Sequence, residues 1–216
     1  MKHGFVKVAA ATPDIKVADC IYNAQSICSD MKKAAEQGAK IVVFPELCLT
    51  GYTCSDLFWQ ERMLDAAKEG LRKIIKTSLT LEGLFFVGLP WELNQKLYNV
   101  AAAVSNGELL GLVPKKYLPN YAEFYEARHF TPGKEDVEWV TFDGQEVPFG
   151  MHQQFHCAEI PGLIVAAEIC EDLWVPNPPS VAAAMAGATV IVNLSASNEN
   201  TGKSLYRTAL VQNQSA

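Results

Sequence analysis

Three residues whose side chains could attack an amide lie where stretches typical of β-strands end. Glu46 follows an apolar run over residues 41–44, Lys115 follows residues 112–114, and Cys170 follows residues 163–169. A carboxylate can take the proton of a thiol, the thiolate can attack a carbonyl carbon, and an ammonium can stabilise the oxyanion that forms. Together the three residues indicate covalent catalysis at an amide carbon.

The residues next to two of these positions favour placement in an active site. Pro45 cannot continue a hydrogen-bonded strand, so the chain should turn at Glu46 among apolar neighbours, where a carboxylate can serve as a general base. Cys170 is followed by Glu171 and Asp172, which are typical of a turn or helix start. In α/β folds the carboxyl edge of the sheet is where ligands usually bind.

Composition narrows the class of protein. The chain has 216 residues, of which 49% are hydrophobic and 19% charged, and we expect a single globular domain over residues 1–216. A net charge of −6 without a basic stripe argues against nucleic acid or an anionic membrane as a partner. No membrane span or signal peptide is apparent, which predicts a cytoplasmic protein. His152, His156 and Cys157 match no zinc spacing, so we expect no metal site.

The hydrophobic pattern predicts alternating strands and helices. A stripe of apolar residues from Ile21 to Ala35 is typical of an amphipathic helix, and a second long helix should start at an N-cap on Ser55 or Asp56 and be weakened at Gly70. We predict strands over residues 5–11, 41–44, 84–89, 97–105, 109–113, 163–169 and 189–194, and further helices over residues 181–186 and 205–212.

The connections complete an α/β architecture. Asn106-Gly107 predicts a tight hairpin, and residues 131–156 should form hairpins and loops. The final helical pattern ends without a C-cap glycine, so we expect this chain to be part of a longer one.

The motifs around the three residues resemble those of a known enzyme group. The order Glu, Lys, Cys resembles the triad of the nitrilase superfamily, whose members cleave carbon–nitrogen bonds. Residues 44–52, 114–121, 123–126, 168–174 and 193–197 resemble the glutaminase domain of glutamine-dependent NAD synthetases. The resemblance covers essentially the whole chain. It implies an αββα four-layer sandwich that is incomplete at its C-terminal end.

The resemblance also assigns roles to individual residues. It implies Glu46 as general base, Cys170 as nucleophile and Lys115 as oxyanion stabiliser; Lys116 remains an alternative, because the lysine doublet leaves the register open by one. The residues implied in substrate binding are Tyr121, Ser197, Lys203, Tyr52, Glu126 and Glu171, with Glu126 orienting Lys115 or the attacked amide.

The implied reaction is hydrolysis of the L-glutamine side-chain amide through a thioester, which gives glutamate and ammonia. In the family the ammonia supplies a synthetase domain that uses ATP and Mg²⁺ to make NAD⁺ from nicotinic acid adenine dinucleotide; that domain is absent from this sequence, and the glutaminase domain itself needs no cofactor. A homo-oligomer is also implied. Two alternatives stay open, namely another nitrilase-type amidase or carbamoylase and a non-catalytic interaction domain with the same fold.

Overall fold

The computed structural model describes residues 4–215, and its helices lie near the positions that the sequence predicts. The α-helices are α1 (Cys20–Glu36), α2 (Glu61–Ser78), α3 (Pro179–Met185) and α4 (Lys203–Gln214). Helix α1 begins where the Asp19 side chain accepts a hydrogen bond from the Tyr22 amide, and it buries one stripe that includes Ala24, Ile27 and Met31. None of the helices in residues 4–215 is long and apolar enough to cross a bilayer.

A larger sheet contains seven strands in the order β1-β2-β3-β4-β5-β7-β6. They are β1 (Val8–Ala10), β2 (Ile41–Val43), β3 (Leu84–Leu93), β4 (Lys96–Ser105), β5 (Glu108–Pro114), β6 (Glu138–Phe142) and β7 (Gln145–Phe149). Strands β1, β2 and β3 are parallel, and β3, β4 and β5 form an antiparallel meander. Strands β6 and β7 form the hairpin expected in residues 131–156.

A smaller sheet of three strands packs on the larger one. Its order is β10-β9-β8, with β8 (Phe155–His156), β9 (Ile164–Ile169) and β10 (Val190–Leu194). Strands β9 and β10 are parallel. Phe86, Ala101 and Val113 of the larger sheet pack against side chains of the smaller sheet such as Val165 and Ile169, and all five are buried.

The layers form the expected αββα sandwich. Helices α1 and α2 cover the outer face of the larger sheet with a second apolar cluster that contains Ile27, Met31 and Leu71. Helix α3 packs on β9 at the other side of the sandwich. The first residues after β2, the end of β5 and the end of β9 therefore meet at one edge of the space between the two sheets.

The hairpin prediction is confirmed by the backbone. Asn106 and Gly107 have φ of 48° and 78°, so both central residues of the β4–β5 turn adopt the left-handed conformation that a two-residue hairpin requires.

The predicted start of the second helix is wrong. Ser55–Trp59 forms a separate 3-10 helix, and α2 begins after Gln60. Phe58 of this short helix is buried in an apolar cluster, and this packing anchors the segment separately from α2. Helix α2 runs through Gly70 without a break, and a Cβ there would lie 2.8 Å from Leu49, so the glycine allows close packing. Ile21 also departs from the predicted stripe, since it is exposed.

Candidate active site

Glu46 lies in a tight turn that follows β2 and packs on β3. The Leu49 amide donates a hydrogen bond to the Gly88 carbonyl at 3.1 Å, and Leu47 has a φ of 51°. A Cβ on Gly88 would lie 2.3 Å from the Leu47 nitrogen and 2.8 Å from the Glu46 carbonyl carbon. Because these contacts involve backbone atoms, only glycine at position 88 lets the turn approach the sheet this closely.

The Glu46 carboxylate is buried and accepts three hydrogen bonds. Its Oε1 accepts from Lys115 Nζ at 2.6 Å and from Asn99 Nδ2 at 2.7 Å, and its Oε2 accepts from the Ala196 amide at 3.1 Å. The side chain has 0% exposure. Three donors from three parts of the chain therefore fix the carboxylate at the end of both sheets.

Lys115 directly follows β5 and carries its ammonium between two carboxylates. Nζ lies 2.6 Å from Glu46 Oε1 and 2.7 Å from Glu126 Oε1, and the side chain is 0% exposed. Burial alone would lower the pKa of Lys115, but the charges of Glu46 and Glu126 more than offset it and raise the pKa above its ordinary value. The ammonium therefore stays charged.

Glu126 begins a short 3-10 helix, Glu126–Arg128, and its carboxylate lies behind the lysine. Its Oε1 also accepts a hydrogen bond from the Tyr52 hydroxyl at 2.7 Å. Burial, and next the charge of Glu46, raise the pKa of Glu126. Burial and the Glu126 charge likewise raise the pKa of Tyr52, so the hydroxyl remains a donor.

The two adjacent lysines lie in different environments. Lys116 Nζ pairs with Glu135 at 3.0 Å, where the Glu135 side chain is 70% exposed. Neighbouring residues of an extended chain point to opposite sides, so Lys115 faces the space between the sheets while Lys116 faces outward. The structure thus brings Lys115, and not Lys116, to Glu46.

Cys170 lies at the first position of a 3-10 turn, Cys170–Leu173, that follows β9 directly. Its φ is 46°, which is unusual for a residue with a side chain. Burial raises the pKa of the thiol to about 12; the charge of Glu46 also raises it, and the charge of Lys115 opposes the rise. The thiol is therefore protonated near neutral pH and needs a base to become a nucleophile.

A pocket of about 270 Å³ opens beside Cys170. Within it the Tyr121 hydroxyl donates to both Glu171 oxygens at 3.0 and 3.1 Å. Lys203 Nζ lies 5.0 Å from the centre of the Trp174 ring and donates to Asn198. The residues that line the pocket include Tyr121, Phe124, Cys170, Glu171, Trp174, Ser197, Asn198 and Lys203.

The predicted binding residues fall into two groups. Tyr121, Ser197, Lys203 and Glu171 line the pocket. Tyr52 and Glu126 do not line the pocket. Glu126 accepts a hydrogen bond from Lys115, and Tyr52 donates one to Glu126. Glu126 therefore lies where it can orient Lys115, which is one of the two roles expected for it.

Several polar residues inside the fold that hold the site were not predicted from the sequence. Asn99 binds Glu46, and Asn193 binds the backbone of Cys170 and the carboxylate of Glu168. Their signal was present in the sequence, because each polar residue interrupts an apolar strand and must find a hydrogen-bond partner when buried.

Asp172 is another missed residue and joins the Cys170 turn to the segment after β5. Its carboxylate accepts from the amides of Ile169 at 3.0 Å, Tyr117 at 2.8 Å and Lys116 at 3.2 Å. Burial raises the pKa of Asp172 to about 7, against the lowering effect of these hydrogen bonds. One side chain therefore links the segment that carries the thiol to the segment that carries the ammonium.

Known proteins resemble this chain over its full length. The chain is 40% identical over 215 residues to the glutamine-dependent NAD(+) synthetase of Mycobacterium tuberculosis (strain ATCC 25618 / H37Rv), and the match covers 100% of this chain and 32% of that protein. The crystal structure of a glutamine-dependent NAD(+) synthetase from Cytophaga hutchinsonii superposes with a TM-score of 0.84 at 28% identity, over 97% of this chain and 33% of that one. The chain thus spans about a third of the length of the relatives that it matches.

A shorter protein shares the fold. An amidase from Nesterenkonia sp. superposes with a TM-score of 0.74 at 21% identity, over 99% of this chain and 73% of that chain. The family model described as carbon-nitrogen hydrolase matches residues 7–215. With the αββα sandwich in place and nearly every residue matched, the chain belongs to the carbon-nitrogen hydrolase family.

Proposed function

We propose that this chain hydrolyses the side-chain amide of L-glutamine to glutamate and ammonia, with Cys170 as nucleophile, Glu46 as general base and Lys115 as oxyanion stabiliser. The observation that carries the proposal is a fully buried ammonium, shared by two carboxylates, whose charge acts on a buried thiol at the wall of a pocket. Stability of the fold alone gives little reason for this arrangement, because replacing buried ion pairs by well-packed apolar residues is often neutral or stabilising.

The first step is proton transfer from Cys170 to Glu46. Since the pKa of the thiol is raised to about 12, attack as a preformed thiolate would leave the enzyme almost inactive at neutral pH. Glu46 is held rigidly by three hydrogen bonds, which fixes the acceptor oxygens at the site. The thiolate then forms a bond to the amide carbon, and the carbonyl π electrons move to oxygen.

Lys115 stabilises the oxyanion that results. An ammonium has three N–H donors, and two of those of Lys115 are used by Glu46 and Glu126. The third remains for the substrate oxygen, together with the backbone amide of residue 171. Stabilisation of this kind is worth about 3 to 4 kcal/mol for one donor in related chemistry.

Collapse of the tetrahedral intermediate breaks the carbon–nitrogen bond. Glu46 returns its proton to the departing nitrogen, so ammonia leaves and a glutamyl thioester remains on Cys170. Water, deprotonated by Glu46, then attacks the thioester carbon, and glutamate departs as the thiol is restored.

The charges of the pocket favour an amino acid over a simple amide. Glu171 can pair with an α-ammonium, with Tyr121 and Ser197 as polar neighbours, and Lys203 can pair with an α-carboxylate. An aliphatic amide has neither charge and would leave both groups unpaired in the pocket. The relatives are named for their dependence on glutamine, an amino acid that carries both of these charges.

A link between glutamine hydrolysis and NAD⁺ synthesis is proposed from the relatives alone. They are about three times the length of this chain and are described as glutamine-dependent NAD(+) synthetases. The ammonia would then supply a linked synthetase domain that uses ATP and Mg²⁺ to convert nicotinic acid adenine dinucleotide to NAD⁺. The expected homo-oligomer and cytoplasmic location stay predictions.

The test compares ammonia release from L-glutamine and from acetamide. We expect turnover of glutamine, none with Cys170→Ala, and unchanged turnover with the matched control Cys157→Ala, whose thiol lies outside the pocket. An electrophilic glutamine analogue should add its mass to Cys170. Hydrolysis of acetamide but not glutamine would favour the amidase alternative, and a folded protein without adduct or turnover would favour the non-catalytic one.

A further inference from the structure

Two polar residues on the smaller sheet lie beneath Cys170 and have no part in the proposed chemical steps. Glu168 on β9 and Asn193 on β10 are directly paired in the register of the two parallel strands. Glu168 is 3% exposed, Asn193 is half-buried, and neither lines the pocket beside Cys170. Removing a carboxylate and an amide from water costs free energy, so their place in the fold indicates a structural or functional role.

The contacts of Asn193 are made with the backbone of the nucleophile. Its Oδ1 accepts from the Cys170 amide at 3.2 Å, and its Nδ2 lies 3.5 Å from the Cys170 carbonyl and 3.2 Å from Glu168 Oε1. The other carboxylate oxygen, Glu168 Oε2, accepts from the Ser180 amide at 3.1 Å. A continuous chain of hydrogen bonds therefore runs from helix α3 through two side chains to Cys170.

The carboxylate determines which way the amide faces. An ionised carboxylate only accepts hydrogen bonds, so Asn193 must present its NH₂ group to Glu168 and its carbonyl oxygen to the Cys170 amide. Burial raises the pKa of Glu168, but the hydrogen bonds from Ser180 and Asn193 favour the ionised form and oppose that rise. If the amide were reversed, two N–H donors would face each other at Cys170.

We propose that Asn193, oriented by Glu168, is a positioning residue that holds Cys170 in its left-handed backbone conformation and so places the thiol at Glu46 and Lys115. The φ of 46° at Cys170 is costly for a residue with a side chain and persists only if its surroundings impose it. The Cys170 amide is used by Asn193, which leaves the oxyanion to Lys115 and to a later backbone amide. The turnover readout rests on the proposed function.

A reciprocal exchange of residues at positions 168 and 193 tests these donors and acceptors. In Glu168→Gln, the new side chain has one acceptor oxygen for two donors, the Ser180 amide and Asn193 Nδ2. Its own NH₂ group must therefore face one of these donors. In Asn193→Asp, a half-buried carboxylate faces the buried carboxylate of Glu168. The double variant restores the three shorter contacts of this chain of hydrogen bonds and loses only the 3.5 Å contact with the Cys170 carbonyl. The introduced glutamine accepts from the Ser180 amide and donates to the introduced aspartate, whose other oxygen accepts from the Cys170 amide. The total charge of the double variant equals that of the unmodified chain.

The experiment measures glutamine turnover and alkylation of Cys170 by iodoacetamide on the whole chain. We expect each single variant to lose about 10- to 100-fold in kcat with little change in KM, since a thiol misplaced by about 1 Å costs this much. We expect the same loss in the alkylation rate, and recovery of both rates in the double variant. Asn193→Ala, which introduces no charge, should also slow alkylation.

The matched control is Asn94→Asp, which places an aspartate against Glu138 at the surface and should change neither rate. Single variants that keep the alkylation rate of the unmodified chain would overturn the proposal, as would a folded double variant that recovers nothing. If the unmodified chain fails to hydrolyse glutamine, the proposed function fails, while the alkylation rates still decide the role of Asn193.

Discussion

Lys115 should stabilise the folded state in addition to its proposed role in the reaction, which makes Lys115→Met a direct test of the site. Lys115 supplies the cation between Glu46 and Glu126, at 2.6 and 2.7 Å, with no exposure to solvent. Methionine has a similar length but no charge. The variant therefore leaves two carboxylates buried together without a counter-charge.

The size of the effect follows from this geometry. Removing one partner of a buried ion pair costs about 3 to 5 kcal/mol. For a domain of this length each kcal/mol lowers Tm by about 2 to 4 °C, so we expect Tm to fall by about 6 to 20 °C. Lys116→Met is the matched control. Its pair with Glu135 lies at the surface, and Tm should stay within about 2 °C of the unmodified chain.

The loss should depend on pH in a predictable direction. The pKa of Glu126 is already raised by burial and by Glu46, while Lys115 opposes that rise. Without the lysine the pKa of Glu126 rises further, so the folded variant binds a proton that the unfolded chain releases. Stability falls with rising pH wherever the folded state binds more protons. The variant should therefore lose more stability at pH 8 than at pH 5.5.

The assay is urea denaturation of both variants at pH 5.5, 7 and 8, with circular dichroism as the signal. Adding Glu126→Gln to Lys115→Met should restore part of the lost stability, because one of the two unpaired carboxylates is removed. Glutamine turnover should not return, since the proposed oxyanion donor is still absent. An equal loss of stability in Lys115→Met and Lys116→Met, or a loss that does not grow with pH, would refute the reasoning.

Single contacts elsewhere in the site support three more predictions. Gly88→Ala places a Cβ 2.3 Å from the Leu47 nitrogen, so the Glu46 turn must move, and kcat should fall more than about tenfold; a near-normal kcat in a folded variant would contradict this. Tyr52→Phe removes a hydrogen bond to the Glu126 carboxylate and should cost about 1.5 to 3 kcal/mol in urea denaturation, whereas an unchanged midpoint would show that the bond contributes nothing. Burial raises the pKa of Asp172 to about 7, so this group makes the fold less stable as pH rises from about 4 to 7; Asp172→Asn should flatten that part of the stability curve, and equal slopes would argue against it.

The parts of the fold that depend on local chemistry could be predicted from the sequence. Asn106-Gly107 specifies a hairpin because both residues tolerate positive φ, and the helical stripe of α1 needs only its own spacing. The start of α2 could not be predicted in this way. Asp56 has the chemistry of an N-cap, but its carboxylate pairs instead with Arg128 at 2.9 Å, a partner that only the folded chain brings near.

The choice between the two lysines shows the same limit inside the site. The doublet gives no local signal, but alternation places Lys115 on the same side of β5 as Val113, which packs between the two sheets. The sequence shows the alternation but not which face meets the smaller sheet. The face is fixed by contact with Val165 and Ile169 of β9, the strand that ends directly before Cys170.

In the proposed mechanism, the arrangement of charges gives a reason for the second carboxylate, Glu126. With a neutral thiol, the charges of Glu46, Lys115 and Glu126 sum to −1, and after the proton moves from Cys170 to Glu46 they still sum to −1 when the thiolate is included. The transfer moves a negative charge from oxygen to sulfur without changing the net charge of the buried group, so no new charge has to be taken out of water. Glu126 does not change during this transfer; it keeps the pKa of Lys115 raised and so preserves the ammonium when Glu46 becomes neutral. A site with only Glu46 would lose the carboxylate that holds the lysine at the moment when the oxyanion requires it.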